Sequence, residues 1–328
     1  MNPFQYEQAQ ELNSGAERVL RTPEATFLAG GTTLLDLMKL GVEKPAVLVD
    51  VRKLPLAQVE ELPDGGLRLG ALARNSDVAF HPLVKERYPL LSQALLAGAS
   101  AQLRNMATVG GNVMQRTRCS YFRDTSTHCN KREPGSGCSA LEGINRGHAV
   151  LGVSESCIAT HPSDMAVALA ALGATVRVKG AKGERSIPFT DFHLLPGTTP
   201  QRETVLEHGE LILSVDVPAL PAAKQSLYLK VRDRASYAFA LASVAAALEV
   251  KNGRIEQARL ALGGVGTKPW RVPAAEAKLV GQAPSPEVFQ AAAAAAVEGA
   301  QPREHNGFKV ELARRLVVRA LTVLGGRS

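Results

Sequence analysis

All four cysteines of the 328-residue chain lie within a single stretch of 39 residues. They are Cys119, Cys129, Cys138 and Cys157, and the gaps between them hold nine, eight and eighteen residues. Thiols collected in this way can form disulfides, bind zinc, bind an iron–sulfur cluster or remain unliganded. Disulfides need an oxidising compartment, and zinc sites usually contain C-x2-C pairs, which are absent here. An iron–sulfur cluster tolerates irregular spacing because a loop can wrap around it, so the spacing favours a metal-binding loop of that kind.

The residues around the thiols are strongly basic. The chain carries 38 Lys and Arg against 31 Asp and Glu, and part of that excess falls between residues 104 and 133. The cations of this stretch are Arg104, Arg116, Arg118, Arg123, Lys131 and Arg132, against Asp124 and Glu133. Such cations can offset the net negative charge of a cluster held by four thiolates. No helix-turn-helix, RRM or zinc-finger pattern accompanies them, which argues against nucleic acid as a partner.

Two glycine loops are candidates for binding a phosphate-bearing ligand. The first, Gly30-Gly31-Thr32-Thr33, lies between an apolar strand pattern and an amphipathic helix pattern. The second, residues 108–112, has the sequence Thr-Val-Gly-Gly-Asn. Glycines allow the backbone to approach a ligand closely, and the amides that begin a helix favour an anion. Two such loops can hold two ends of a diphosphate-bearing cofactor, although each is also compatible with an ordinary strand–helix turn.

One other match to a nucleotide-binding motif is not supported by the residues around it. Residues 135–140, Gly-Ser-Gly-Cys-Ser-Ala, match the G-x-G-x-x-A pattern, but neither a strand nor a βαβ unit surrounds them. The match is therefore rejected. The chain also lacks the G-x-x-x-x-G-K-[ST] sequence of a Walker site.

Composition and patterning indicate a soluble globular protein of two or three folding units, with 45% hydrophobic residues and a mean hydropathy of −0.03. No segment approaches the roughly 20 apolar residues of a membrane span, and the first residues lack the pattern of an export signal. Strands alternating with helices predict an α/β or α+β fold. We expect strands at 25–29, 46–51, 66–72, 211–217, 226–231 and 258–263, a hairpin from 174–178 and 184–187, helices over 77–99 and 239–250 and from 164, and two helices at the C-terminal end.

Four segments, taken in order, resemble a known family. FLAGGTTLLDLMK, ATVGGNVMQ, IATHPSDMAVALAALGA and LKVRDRASYAFALASVAAAL are similar to segments of the FAD-binding subunits of molybdenum hydroxylases, the xanthine dehydrogenase and carbon monoxide dehydrogenase relatives. The resemblance covers essentially the whole chain. The cysteine-bearing insertion resembles that of the flavoprotein subunit of periplasmic aldehyde oxidoreductase, which carries a 4Fe–4S cluster.

The resemblance implies an α+β fold with two domains. Residues 1–221 would form a two-part FAD-binding domain of the PCMH/vanillyl-alcohol-oxidase-like type, with the 4Fe–4S insertion at about 115–158. Residues 222–328 would form a smaller α+β C-terminal domain of the CO dehydrogenase flavoprotein type. The stretch PALPAAKQ at 218–225 fits the boundary between them.

The resemblance also implies the cofactor contacts. The FAD pyrophosphate would lie on the first loop, with contacts from the second, and the residues concerned are Phe27, Leu28, Ala29, Gly30, Gly31, Thr32, Thr33, Leu34, Thr108, Gly111 and Asn112. Asp164 would accept hydrogen bonds from the hydroxyl-bearing part of FAD, Lys230 would lie near the isoalloxazine, and Tyr237 would cover or edge the ring. Without the resemblance, these three are compatible with a helix N-cap, a surface strand lysine and a core aromatic. The ligands of the 4Fe–4S cluster would be Cys119, Cys129, Cys138 and Cys157. We expect His161 to lie in an exposed turn with no ligand role.

The implied function is electron transfer within a heterotrimer. A separate molybdenum-cofactor subunit would oxidise an aldehyde to a carboxylic acid, a 2Fe–2S subunit would relay the electrons, and FAD in this chain would pass them to an external acceptor. We therefore expect no catalytic residue for substrate chemistry here. Residues 235–237, Ala-Ser-Tyr, replace the acidic residues of the xanthine dehydrogenase version, which argues against NAD.

Three alternatives remain open: the FAD subunit of another molybdenum hydroxylase acting on xanthine or an aromatic substrate, a stand-alone flavoprotein oxidase, and a zinc-stapled interaction module. The resemblance implies a periplasmic location through co-export with a partner that bears a twin-arginine signal, and a cytoplasmic one otherwise.

Overall fold

The computed structural model describes residues 1–326 and confirms an α+β architecture built on three sheets. The first sheet is parallel, with the order β1-β3-β2, and consists of β1 (Gln5–Gln8), β2 (Ala25–Leu28) and β3 (Val47–Asp50). Its connections contain α1 (Leu12–Leu20) and α2 (Leu34–Lys39). Because β2 ends at Leu28, the first glycine loop follows directly from a buried strand.

The second sheet is antiparallel and has the order β4-β5-β8-β6-β7, and a series of short helices lies between β5 and β8 in the chain. Its strands are β4 (Val59–Glu61), β5 (Leu67–Gly70), β6 (Thr175–Gly180), β7 (Gly183–Pro188) and β8 (Leu211–Val217), which confirms the predicted hairpin and the predicted strand at 211–217. The helices are α3 (Asn75–Phe80), α4 (Pro82–Arg87), α5 (Pro89–Ala97), α6 (Ala101–Arg104), α7 (Val109–Val113), α8 (Ser120–Arg123), α9 (Asp164–Leu172) and α10 (Phe189–Phe192). The helical pattern predicted over 77–99, with Pro82 and Pro89 as its interruptions, forms three helices, because each of these prolines begins a new one.

The third sheet, antiparallel with the order β12-β11-β10-β9, lies after a short 3-10 helix at Pro221–Lys224. Its strands are β9 (Ser226–Val231), β10 (Ala242–Lys251), β11 (Arg254–Gly263) and β12 (Trp270–Arg271), and α11 (Pro273–Leu279), α12 (Pro286–Ala296) and α13 (Phe308–Gly325) follow them. Arg327 and Ser328, the end of the predicted C-terminal domain, lie outside the described residues.

The predicted helix at 239–250 is wrong, because this segment contains the central strand β10. Val244, Ala246 and Leu248 face the core formed with α12 and α13, whereas Ala245 and Ala247 face the core that includes α5 and α9. A strand covered on both faces lacks the alternation of polar and apolar residues by which strands are recognised. Its alanines therefore resemble a helix in the sequence.

The insertion is ordered although it has almost no regular secondary structure. Between Thr117 and Ala159 the only regular element among the described residues is the four-residue helix α8. Asn130 Oδ1 accepts hydrogen bonds from the amides of Gly135 and Gly137, and Arg132 donates to the carbonyls of Tyr121 and Phe122. Hydrogen bonds between side chains and the backbone thus take the place of the backbone–backbone hydrogen bonds of regular helices and strands. Within residues 1–326, no helix has the length and apolarity needed to cross a membrane.

Replacing Leu248 by Ala tests whether β10 is a buried strand packed on the C-terminal helices. Leu248 is fully buried in that core, so we expect Leu248→Ala to lower the free energy of unfolding by about 2–5 kcal/mol, measured by urea denaturation followed by circular dichroism. The matched control is Leu40→Ala, since Leu40 is largely exposed and its replacement should change stability by less than about 0.5 kcal/mol. Equal effects of the two substitutions would contradict this packing.

Candidate functional site

The two glycine loops line one cleft of about 290 Å³. The loop residues that line it are Phe27, Ala29, Gly30, Gly31, Thr32, Thr33, Leu34, Thr108, Gly110 and Gly111. The structure therefore brings together two segments that are almost 80 residues apart in the chain. We call this space the glycine cleft.

The glycines are required by close backbone packing between the loops. A Cβ on Gly30 would lie 2.0 Å from the carbonyl oxygen of Met106, and Gly31 has a φ of +73°. The Thr108 hydroxyl accepts a hydrogen bond from the Gly111 amide at 3.2 Å and so caps α7. Thr33 makes no such side-chain bond at the start of α2. Gly30 is therefore required for the two loops to pack against each other, which forms the wall of the cleft.

A second cleft, of about 360 Å³, lies between the insertion, the start of α9 and the connection from β9 to β10. We call it the acidic cleft, because Asp164 lies on its wall. Cys119 and His148 of the insertion also line it, together with Arg118 and Phe239. One of the four thiols thus lies on the wall of a cleft that also contains a residue predicted to contact FAD.

A buried ion pair fixes the carboxylate of Asp164. Lys230 Nζ donates to one carboxylate oxygen at 2.7 Å, and the hydroxyl of Tyr228 donates to the other at 2.5 Å. The side chains of Lys230 and Asp164 are only 4% and 7% exposed. Lys230 also donates to the carbonyl of Ala97 at 3.1 Å. Because each carboxylate oxygen has more than one lone pair, Asp164 can accept further bonds from a ligand hydroxyl.

All four cysteines are free thiols. Cys129 and Cys138 face each other in an antiparallel bridge, and Cys119 and Cys129 belong to one small apolar cluster with Phe122. Burial raises the pKa of Cys119 to about 12 and that of Cys157 to about 11, and the negative charges of neighbouring thiolates add to both shifts. The thiols of Cys119 and Cys157 are therefore protonated at neutral pH unless a cation stabilises their thiolates. Among residues 1–326, no group of three or more His, Cys, Asp or Glu side chains is placed to bind a single metal ion.

The basic residues near the thiols are paired with acids from distant parts of the chain. Arg118 and Arg123 both contact Asp36, whereas Arg116 contacts Glu43 and Glu203. The excess of positive charge in this stretch of sequence is therefore neutralised by acidic residues from other segments of the chain. Among these arginines, two buried N–H groups have no partner in the described part of the chain, Arg118 Nε and Arg123 Nη1. Burying a guanidinium N–H without an acceptor costs free energy, so these two N–H groups are suited to donate to a bound anion.

Comparison with known proteins identifies the family. Residues 2–220 match the family model of the FAD binding domain in molybdopterin dehydrogenase, and residues 227–324 match that of the CO dehydrogenase flavoprotein C-terminal domain. The chain belongs to the FAD-binding medium subunits of molybdenum hydroxylases. It is thus an oxidoreductase subunit, and FAD is the cofactor that its larger domain indicates.

Several relatives span nearly the full chain. The aldehyde oxidoreductase FAD-binding subunit PaoB of Escherichia coli (strain K12) is 52% identical over 98% of both chains. The glyceraldehyde dehydrogenase medium chain of Sulfolobus acidocaldarius is 29% identical over 98% of this chain and 96% of its own. Among solved structures, carbon monoxide dehydrogenase from Hydrogenophaga pseudoflava has a TM-score of 0.78 at 27% identity, covering 99% of this chain and 98% of that chain.

Within this flavoprotein family fold, most predicted contact residues line one of the two clefts. Leu28 and Asn112 do not, since Leu28 is buried and the Asn112 side-chain oxygen accepts hydrogen bonds from Ser163 and Gln115. Asp164 lines the acidic cleft, with Lys230 bonded behind it. These assignments of roles remain predictions.

Tyr237 lies on neither cleft wall. Its side chain is 54% exposed, its φ is +51°, and its carbonyl accepts hydrogen bonds from Arg234. The aromatic residue that does line the acidic cleft is Phe239, two positions later, with the Arg118 guanidinium 5.4 Å from its ring centroid. Sequence reasoning missed Phe239 because the segment was taken for the start of a helix, whereas the residues before β10 form an irregular connection with several bends.

His161 does not lie in an exposed turn, contrary to our expectation. Its ring packs edge-on against that of His193 with 4.5 Å between centroids, and its Nδ1 accepts a weak hydrogen bond from the Ser163 amide at 3.4 Å. Burial lowers the pKa of His161 well below its usual range and that of His193 to about 4, so both rings are neutral at physiological pH. His161 lines the acidic cleft, which its position before Pro162 did not reveal.

Replacing Gly30 by Ala tests whether the glycine cleft binds the cofactor. The added Cβ would collide with the Met106 carbonyl, so the loops must separate. Overpacking of this kind costs about 1–3 kcal/mol, and we expect FAD affinity to fall by about tenfold or more. The measurement is the flavin-to-protein ratio of the purified protein from its visible absorption. Gly307→Ala is the control, because its Cβ would meet only Pro302 at 3.9 Å; normal FAD content in both variants would contradict the assignment.

Proposed function

We propose that this chain carries FAD and a 4Fe–4S cluster and transfers electrons in a heterotrimeric molybdenum-dependent aldehyde oxidoreductase. One observation carries the proposal: Cys119 and Asp164 lie on the wall of the same cleft. A cluster held by the four cysteines would therefore border the space proposed for the hydroxyl-bearing part of FAD.

The two clefts fit FAD in complementary ways. In the glycine cleft, Gly30 and Gly111 lie on the wall, and a pyrophosphate bound there would face the backbone of both loops. In the acidic cleft, Asp164 presents a fixed carboxylate to the ribityl or ribose hydroxyls, with Lys230 behind it compensating the charge. Phe239 supplies an apolar surface in the same cleft. When bound, FAD accepts electrons singly and releases one or two of them, and the protein positions it and tunes its potential.

The cysteine loop fits a cluster through its charges and its donor set. The four cysteines are free, Cys119 and Cys157 each lie within electrostatic reach of other cysteines, and burial keeps these two protonated in the absence of metal. Iron would stabilise them as thiolates, and the cations of this stretch, of which Lys131 lowers the pKa of Cys157, would offset the negative charge of the cluster. A cube of four irons holds its thiolates further apart than one ion does, so the loop need not form a single-ion site. The family description names FAD alone, and the cluster proposal rests on this chain's own cysteines.

The reaction and the partners are proposed from the relatives. The names of two relatives that span nearly the whole chain refer to aldehyde oxidoreductase and glyceraldehyde dehydrogenase. We accordingly assign aldehyde oxidation to a separate molybdenum-cofactor subunit and electron relay to a 2Fe–2S subunit, with an external acceptor after FAD. We assign no residue of this chain to aldehyde chemistry. Co-export to the periplasm with a twin-arginine-signal partner rests on the resemblance to the periplasmic enzyme alone.

Replacing Cys138 by Ser tests the cluster. We expect the wild-type complex to contain about four more iron atoms per trimer than its 2Fe–2S subunit accounts for. In Cys138→Ser this excess should fall while FAD is at least partly retained, because Cys138 lies outside both clefts. Iron and flavin are measured by metal analysis and visible absorption. Glu142→Gln, an exposed change in the same insertion, should leave both values unaltered. Unchanged iron in Cys138→Ser, or zinc in its place, would refute the cluster.

A further inference from the structure

The imidazole of His148 contacts a cysteine sulfur. Its Nε2 lies 3.1 Å from Sγ of Cys119, and the residue is only 6% exposed. His148 and Cys119 line the acidic cleft together. The ring therefore lies between the cysteine loop and the space proposed for FAD.

The hydrogen-bonding surroundings of His148 determine which ring nitrogen carries the proton. Nδ1 is buried and has no partner among the described residues, whereas Nε2 faces the sulfur. A metal-bound thiolate has no proton and can only accept a hydrogen bond. The tautomer with the proton on Nε2 therefore makes an N–H···S bond, while the other would leave a buried donor unpaired.

The C-terminal domain holds the backbone of His148 in place. Lys309, at the start of α13, is fully buried and its Nζ donates to the carbonyls of His148 and Gly147 at 2.8 and 3.0 Å. Asn306 donates to the carbonyl of Ala149 at 3.1 Å, and the His148 amide donates to the carbonyl of Asn145 at 2.8 Å. The bonds from Lys309 and Asn306 hold the backbone on either side of the ring from outside the insertion, and the bond to Asn145 holds it from within.

We propose that His148 is a positioning residue that sets the reduction potential of the iron–sulfur cluster, and that Lys309 keeps it aligned. The inference rests on the cluster proposed above. Reduction adds one electron to the cluster and increases the negative charge on its sulfurs, so an N–H···S bond stabilises the reduced form more than the oxidised form. Through its bond to Cys119, the ligand that lies on the cleft wall, His148 thus raises the reduction potential of the cluster.

The test compares His148→Phe and His148→Gln in the holoenzyme by potentiometric titration monitored by electron paramagnetic resonance. We expect His148→Phe to shift the midpoint of the 4Fe–4S signal to a more negative potential, with the 2Fe–2S midpoint unchanged as an internal control. His148→Gln should restore the wild-type value at least partly, because a Gln side-chain amide can donate from a similar position. Lys309→Met should shift the midpoint in the same direction by a smaller amount.

The possible outcomes distinguish a failure of the role of His148 from a failure of the cluster proposal on which it rests. An intact cluster in His148→Phe with the wild-type midpoint would overturn the role of His148. Absence of a 4Fe–4S signal from wild-type holoenzyme would instead refute the cluster itself. Should His148→Phe fail to assemble, electron–nuclear double resonance on wild-type protein labelled with 15N-histidine decides the matter. A coupled 15N and an exchangeable proton at the cluster are expected, and their absence would overturn the inference.

Discussion

The buried contact between Asp164 and Lys230 holds the functional region together. Asp164 begins α9 in the FAD-binding domain, whereas Lys230 and Tyr228 lie on β9 of the C-terminal domain, so one carboxylate joins the two domains. Removing either partner of a buried ion pair leaves the other charge uncompensated, at a cost of about 3–5 kcal/mol. The acidic cleft therefore has a wall whose polar group is fixed before any ligand arrives, which is the arrangement that precise cofactor binding requires.

The cysteine insertion shows how an irregular loop can be as well defined as a helix. Its backbone is held by side chains such as Asn130 and Arg132 from within and by Lys309 from the C-terminal domain. Its cations pair with Asp36, Glu43 and Glu203, which belong to other segments. The thiols are consequently fixed against the flavoprotein body, and Cys119 reaches the wall of the acidic cleft.

Short sequence patterns were sufficient to predict those elements of the fold whose structure depends mainly on neighbouring residues. The hairpin of β6 and β7, the strand β8 and the glycine loop after β2 follow from turn glycines and apolar runs. The strand β10 was not predictable in this way, because its burial on both faces is decided by α9 and α13 rather than by its own pattern. The same limit applies to the site. The contact of Lys230 with Asp164 and that of His148 with Cys119 each join residues far apart in the chain, so the spacing of residues in the sequence does not predict them. The roles of Cys119, Cys129, Cys138 and Cys157 were inferred from their clustering and from the family resemblance, and they remain predictions.

The central claim is that an iron–sulfur centre and a flavin occupy adjoining spaces in this one chain. Anomalous X-ray diffraction from crystals of the native complex, recorded on both sides of the iron and zinc absorption edges, tests it most directly. We expect an iron signal enclosed by the four cysteine sulfurs, with flavin density extending from the glycine cleft towards Asp164. A zinc signal, sulfurs paired as disulfides, or an empty loop beside bound flavin would contradict it.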